Sequence, residues 1–184
     1  MASTVCTRNK GYSIKCLIKT MKSIVVYYSK TGNTKNVAEI LGKGLECEVL
    51  PVNLMDKKGR GTKEERNTEK EFYNNAIQKG ANCDLVVIGT PTSFQRAKSM
   101  IHRYVRDVQA DSVALFCTYD NKIGTTLTDL GDVLTERGIK VIHTMGLGML
   151  KPGEFGQLEE PMKSDYRDRI NSFVEICKVA CTHD

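Results

Sequence analysis

The stretch Ser29-Lys30-Thr31-Gly32-Asn33-Thr34 gathers three hydroxyls, an amide and an ammonium around one turn glycine. An apolar run, Ile24–Tyr28, precedes it, and a helical pattern follows directly. Hydroxyl and amide donors beside the unsatisfied N–H groups of a helix start suit a phosphate group, which also favours the positive end of the helix dipole. Helix capping is the plain alternative, because Ser, Thr and Asn are ordinary N-caps. Four hydroxyl or amide side chains in six residues exceed what one cap uses. Phosphate binding is the expectation.

Other chemistries fit less well. A nucleotide P-loop needs G-x-x-x-x-G-K-[ST], and Leu41-Gly42-Lys43-Gly44 lacks the hydroxyl. A dinucleotide fingerprint needs three spaced glycines where only Gly32 stands. Cys117 ends an apolar run, but no arginine follows at Lys122-Ile123 to make a phosphatase loop. The first strand ends in Ser and Lys, where a phospho-acceptor site needs a pair of acids. Seven Cys without a C-x-x-C pair, and only three His, exclude the common zinc spacings and argue against a disulfide framework. His102 and His143 lack triad partners and read as helix-surface and strand positions. Cys117 reads as a core thiol, and Cys177 and Cys181 share a helix face as buried or half-buried thiols.

The elements that must position the loop follow from hydrophobic periodicity. Continuous apolar runs at Ile24–Tyr28, Leu85–Ile88 and Val113–Cys117 read as buried strands. Cys47–Leu54, which contains Pro51, and Lys140–Met145, which contains His143, are more mixed. Helix faces appear at Val37, Ile40, Leu41 and Leu45, and again at Met100, Ile101, Tyr104, Val105 and Val108. Two more run through Leu127, Leu130, Val133 and Leu134, and through Tyr166, Ile170, Phe173, Val174 and Cys177. Residues 56–71 hold eleven charged side chains and read as a solvated loop leading into a helix near Glu69–Lys79.

Strand–helix alternation implies a parallel sheet with helices on both faces. Proline and interrupted patterns belong at sheet edges, which places the second and fifth strands outermost and gives the order 2-1-3-4-5. Ligands of such sheets bind at the switch point between the first and third strands. Three loops meet there: Ser29–Thr34, Thr90–Arg96 and Thr118–Gly124.

These residues resemble a family. Residues 22–34, Lys-Ser-Ile-Val-Val-Tyr-Tyr-Ser-Lys-Thr-Gly-Asn-Thr, look like the opening of flavodoxins, an apolar strand followed by S/T-x-T-G-x-T. Asp84-Leu85-Val86-Val87-Ile88-Gly89-Thr90-Pro91-Thr92 is similar to the family's third strand and flavin-facing loop. Val113–Cys117 with Thr118-Tyr119-Asp120 is similar to the next, and the likeness spans residues 22–180. The resemblance implies a flavodoxin-like three-layer α/β sandwich with noncovalent FMN. The phosphate would sit on Ser29, Thr31, Asn33 and Thr34, with the amides of Lys30 and Gly32. The ring would lie between Pro91, Thr92, Ser93, Phe94 and Gln95 on one side and Thr118, Tyr119 and Asp120 on the other. Tyr119 is the candidate for stacking and Phe94 for the opposite face; loop aromatics packed on the core remain the alternative for both.

The chain also departs from the family pattern. It has no Trp, and the Thr90–Arg96 loop has no glycine to permit the peptide flip that steadies a one-electron-reduced flavin. Arg96, Lys98 and Lys122 stand where carriers place acids, opposed by Asp120, so a flavin here should be easier to reduce fully. The resemblance implies an electron carrier between redox partners. An FMN-dependent NAD(P)H oxidoreductase acting on a quinone or other small acceptor is the alternative, and a sensor or a scaffold without flavin is a third.

Composition bounds these readings. A chain of 184 residues is expected to fold as one domain, here 22–184 after an extension over 1–21. Residues 1–20 carry Arg8, Lys10, Lys15 and Lys19 and no acid; the other 164 residues have 23 basic and 22 acidic side chains. The basic segment is open to three readings: a disordered extension, an organelle transit peptide or a structural arm. A nearly neutral body argues against nucleic-acid binding. No apolar run approaches the ~20 residues of a membrane span. A cytoplasmic monomer or weak dimer is expected, docking partners with acidic surfaces near Phe94, Arg96 and Tyr119.

Overall fold

The computed structural model describes residues 21–55, 59, 61–148 and 162–180. The basic segment 1–20 lies outside these, as do Cys6, Cys16 and Cys181. Five strands and five helices alternate: β1 (Ser23–Tyr27), α1 (Asn33–Leu45), β2 (Glu48–Pro51), α2 (Lys63–Gly80), β3 (Leu85–Pro91), α3 (Ser99–Asp107), β4 (Ser112–Thr118), α4 (Thr126–Glu136), β5 (Lys140–Leu147) and α5 (Met162–Ala180). All strand pairs are parallel, in the order β2-β1-β3-β4-β5.

Alternate residues of each central strand feed two separate cores, which is why these strands read as continuous apolar runs. Ile24, Val26, Val86, Ile88, Val113 and Leu115 face α2, α3 and α4, where Tyr73, Ile101, Tyr104 and Leu130 meet them. Val25, Tyr27, Leu85, Val87, Ala114 and Phe116 face α1 and α5, against Val37, Leu41, Ile170 and Phe173. The edge strands are partly exposed, as their interrupted patterns require. Opposite Val113 and Ala114 the register shifts, so that β5 skips Ile142 in a bulge.

Several boundaries differ from the sequence reading: β1 and β2 end earlier, at Tyr27 and Pro51 rather than Tyr28 and Leu54, and β5 runs on to Leu147. The helix after the charged run starts at Lys63, so residues 63–68 are helix rather than loop. A capping box explains the early start: Glu65 N–H donates to Thr62 Oγ1 at 3.2 Å, and Thr62 N–H donates to Glu65 Oε2 at 2.6 Å. Strands β3 and β4 also run on past their apolar residues, pairing Thr90 with Cys117 and Pro91 with Thr118. Pro91 is tolerated because it ends its strand, where the missing N–H interrupts little of the ladder. The loops after β3 and β4 are thereby confined to residues 92–98 and 119–125.

Candidate functional site

Loop 29–34 turns from β1 into α1 around Gly32, which adopts φ +96°. Gly32 is itself the N-cap of α1 and so supplies no side-chain acceptor, and the first turn holds no acid. The hydroxyls of the loop are therefore not consumed in capping. Ser29 is buried, and its Oγ accepts the Gly32 N–H at 3.2 Å. Lys30 and Thr31 are exposed beside the cleft, while Asn33 and Thr34 are buried at the start of α1. Thr34 Oγ1 lies 2.8 Å from Thr118 Oγ1, hydrogen-bonding this loop to the end of β4.

The sequence reading missed the residue that sets the loop's shape. Asn53, buried just after β2, accepts the Ser29 N–H on Oδ1 at 2.8 Å. Its Nδ2 donates to Ser29 O at 2.6 Å and to Leu54 O at 3.0 Å. One side chain thus holds both backbone polar groups of Ser29. The only available signal was an amide next to Pro51-Val52 at the end of an edge strand, which has no local pattern of its own.

The second loop leaves β3 at Pro91. Thr92 N–H donates to Thr118 O at 2.8 Å, and Thr92 Oγ1 donates to Thr126 Oγ1 at 2.9 Å. Ser93 and Arg96 exchange both backbone hydrogen bonds, closing a two-residue turn over Phe94 and Gln95. Both central residues are left-handed, at φ +51° and +62°, as type I′ turns require. The loop lacks glycine, so non-glycine residues take that conformation. Thr125 N–H donates to Gln95 O at 3.1 Å, and Gly124 lies so close that a Cβ there would stand 2.2 Å from Gln95 Cβ.

Phe94 is fully exposed and packs on no core. Each left-handed non-glycine residue costs about 1–2 kcal/mol, so replacing Phe94-Gln95 by Asn-Gly should raise the unfolding free energy by about 1–2 kcal/mol. Urea melts of the double variant test this. A lower midpoint would mean that the turn contributes stabilising contacts of its own.

The third loop carries Tyr119 and Asp120. Tyr119 N–H donates to Leu147 O at 3.0 Å, and its half-buried ring backs onto two glycines of the β5 end. A Cβ on Gly148 would stand 2.4 Å from that ring, and one on Gly146 at 3.2 Å. The carbonyls of these glycines accept from α5, Gly148 O from the Tyr166 hydroxyl and Gly146 O from the Arg169 guanidinium. Cys117, one residue before the loop, is fully buried. Burial pushes its thiol pKa up to about 12 against a small opposing effect of the Thr92 hydrogen bond, so it is a core thiol.

The three loops enclose a cleft of about 200 Å³ at the carboxyl end of β1, β3 and β4. Lys30, Thr31, Asn33, Pro91, Thr92, Ser93, Thr118, Tyr119 and Asp120 line it, joined by Lys98. Of the sequence candidates, Ser29, Gly32 and Thr34 form the cleft's supporting loop, and Phe94 and Gln95 stand outside it. Lys98 has a lowered pKa, first from burial and then from the charge of Lys30. Among the described residues no group of three or more metal-ligating side chains forms, and no helix is long and apolar enough to cross a membrane.

Sheet order and loop placement define an α/β protein of the flavodoxin-like fold, with its cleft at the topological switch point. Solved structures share this fold. One is a flavoprotein from Lactobacillus acidophilus in complex with FMN, 19% identical over 68% of this chain and 93% of that one, at TM-score 0.50. A flavodoxin from the domain Archaea is 17% identical over 86% of this chain and 99% of that one, at TM-score 0.56. An azoreductase from Bacillus anthracis is 10% identical over 84% and 99%, at TM-score 0.54. No family model and no curated protein matches the sequence.

Proposed function

We propose that this protein binds FMN without a covalent bond and carries electrons between redox partners. The observation that carries the reading is loop 29–34. Its helix is capped by a glycine, Lys30, Thr31 and Asn33 line the cleft, and it contains no acid. The residues fit the group. A Cβ on Gly32 would meet nothing within 4 Å, so the space over the loop is open. Thr31, Asn33 and the loop amides are the donors for a phosphate, with Ser29, Gly32 and Thr34 shaping the loop beneath them.

Pro91, Thr92 and Ser93 on one wall and Thr118, Tyr119 and Asp120 on the other border the space for a planar ring. The bound cofactor supplies the redox chemistry; the chain supplies binding, orientation and charge. A cleft of about 200 Å³ is below the ~300–1,000 Å³ usual for sites that enclose small molecules. It suits a cofactor whose edge meets a protein partner. Arg96, Lys98 and Lys122 favour a partner with carboxylates, and such docking weakens as salt rises.

The lysines at the cleft favour a second reading, an FMN-dependent NAD(P)H oxidoreductase acting on a quinone or other small acceptor. Positive charge beside the cofactor eases its full reduction. The test is to load the purified protein with FMN, remove the excess, and add NADPH and then NADH without oxygen. Flavin that stays bound and oxidised until a separate reductase is supplied supports the carrier. Direct bleaching selects the oxidoreductase, and failure to retain flavin overturns both.

A further inference from the structure

Lys30 and Lys98 come from different loops, one after β1 and one at the start of α3, yet both line the same cleft. Lys98 is half-buried, and its backbone N–H is held by Thr90 Oγ1 at 3.3 Å. Asp120 is the one carboxylate among the described lining residues, and it forms no ion pair with either lysine. Elsewhere the protein does pair lysines: Lys79 Nζ lies 2.5 Å from Glu48 Oε1, and Lys35 Nζ lies 3.8 Å from Glu39 Oε1.

Two like charges sharing a partly desolvated cleft raise the free energy of the empty protein. Burial lowers the Lys98 pKa, and the Lys30 charge adds to that shift. A ligand with two negative charges, entering between them, removes the repulsion and adds charge-assisted hydrogen bonds. Loop 29–34 supplies neutral donors and one ammonium; Lys98 adds a second from the loop that leads into α3.

We propose that Lys98 and Lys30, from two different loops, form an ammonium clamp that selects a dianionic phosphomonoester at this cleft. The proposal rests on the FMN reading and names the residue that separates FMN from riboflavin, which has the same ring and no phosphate. Lys98 is the less expected half, since no motif of the sequence marks it as a ligand.

The test titrates FMN and riboflavin separately into the flavin-free full chain and into K98Q, following flavin fluorescence. K98Q should bind FMN about 10- to 100-fold more weakly, the range expected for losing one charge-assisted hydrogen bond, with riboflavin binding changed less than about twofold. Lys98→Arg should restore most of the FMN affinity. Without ligand, K98Q should melt at the same temperature as wild type or higher, because a repulsion has been removed.

FMN affinity unchanged in K98Q overturns the clamp, and so does an equal loss of FMN and riboflavin. If wild type binds neither flavin, the FMN reading fails by itself, and inorganic phosphate then tests the clamp through thermal stabilisation. Stabilisation lost in K98Q supports it; equal stabilisation of the two proteins overturns it.

Discussion

Asn53→Ala is expected to lower the unfolding free energy by about 3–4 kcal/mol and to abolish tight FMN binding. The substitution leaves Ser29 N–H and Ser29 C=O without their partner at a residue only 1% exposed. Each buried group left unsatisfied costs about 1–3 kcal/mol. For a chain of this length the loss corresponds to a melting temperature roughly 10 °C lower. Thermal melts give the first readout. Hydrogen exchange at the Ser29 and Gly32 amides gives the second, because a loop released from Asn53 opens without global unfolding. A variant within 1 kcal/mol of wild type, with FMN binding intact, would show that Asn53 does not shape the loop.

The second large effect is expected at Gly89, in the centre of the sheet. Gly89 pairs with Phe116 across β3 and β4, and the Phe116 ring lies over the space where a side chain would stand. A Cβ there would meet Phe116 Cζ at 2.1 Å and Cε1 at 2.4 Å. Phe116 is fully buried in the cluster that contains Leu147, Ile170 and Phe173, so its ring has nowhere to retreat.

Gly89→Ala should therefore destabilise by about 3 kcal/mol, at the upper end of the range for overpacked cores. Adding Phe116→Leu should recover about 1 kcal/mol, because the contact that causes the damage is gone. Urea melts of the two single variants and the double variant measure the coupling. Strictly additive losses would mean that Phe116 is not what excludes a side chain at Gly89.

Much of the fold was legible because its determinants are local and periodic. Ile24–Tyr28, Leu85–Ile88 and Val113–Cys117 are apolar on both faces, and the observed sheet buries both faces of all three strands. Pro51 and the broken pattern near His143 marked the edges, and the sheet order agrees. Charge alone misplaced the start of α2: the run 56–71 read as loop because it is polar. The Thr62–Glu65 capping box lay within that run and starts the helix at Lys63.

The candidate site divides in the same way. Loop 29–34 was visible because its hydroxyls and glycine are consecutive, and the switch-point rule placed the other two loops beside it. The clip from Asn53 to Ser29 spans 24 residues, and the Thr34–Thr118 hydrogen bond spans 84. Neither pairing leaves a trace in either segment. Lys98 and Lys30 likewise become neighbours only when β1 and β3 pair.

Local residue pattern sufficed for the alternation of strands and helices, the order of the sheet and the position of a donor-rich loop at the carboxyl end of β1. Each of those depends on residue type at short range, through burial periodicity and turn chemistry. Tertiary structure alone decided which buried side chain holds that loop and which two charges face one cleft. It also decided that Phe94 and Gln95, pinned by Gly124 and Thr125, take a backbone conformation their own side chains disfavour. Those outcomes depend on contacts between segments far apart in the chain, where packing and buried hydrogen bonds outweigh local preference.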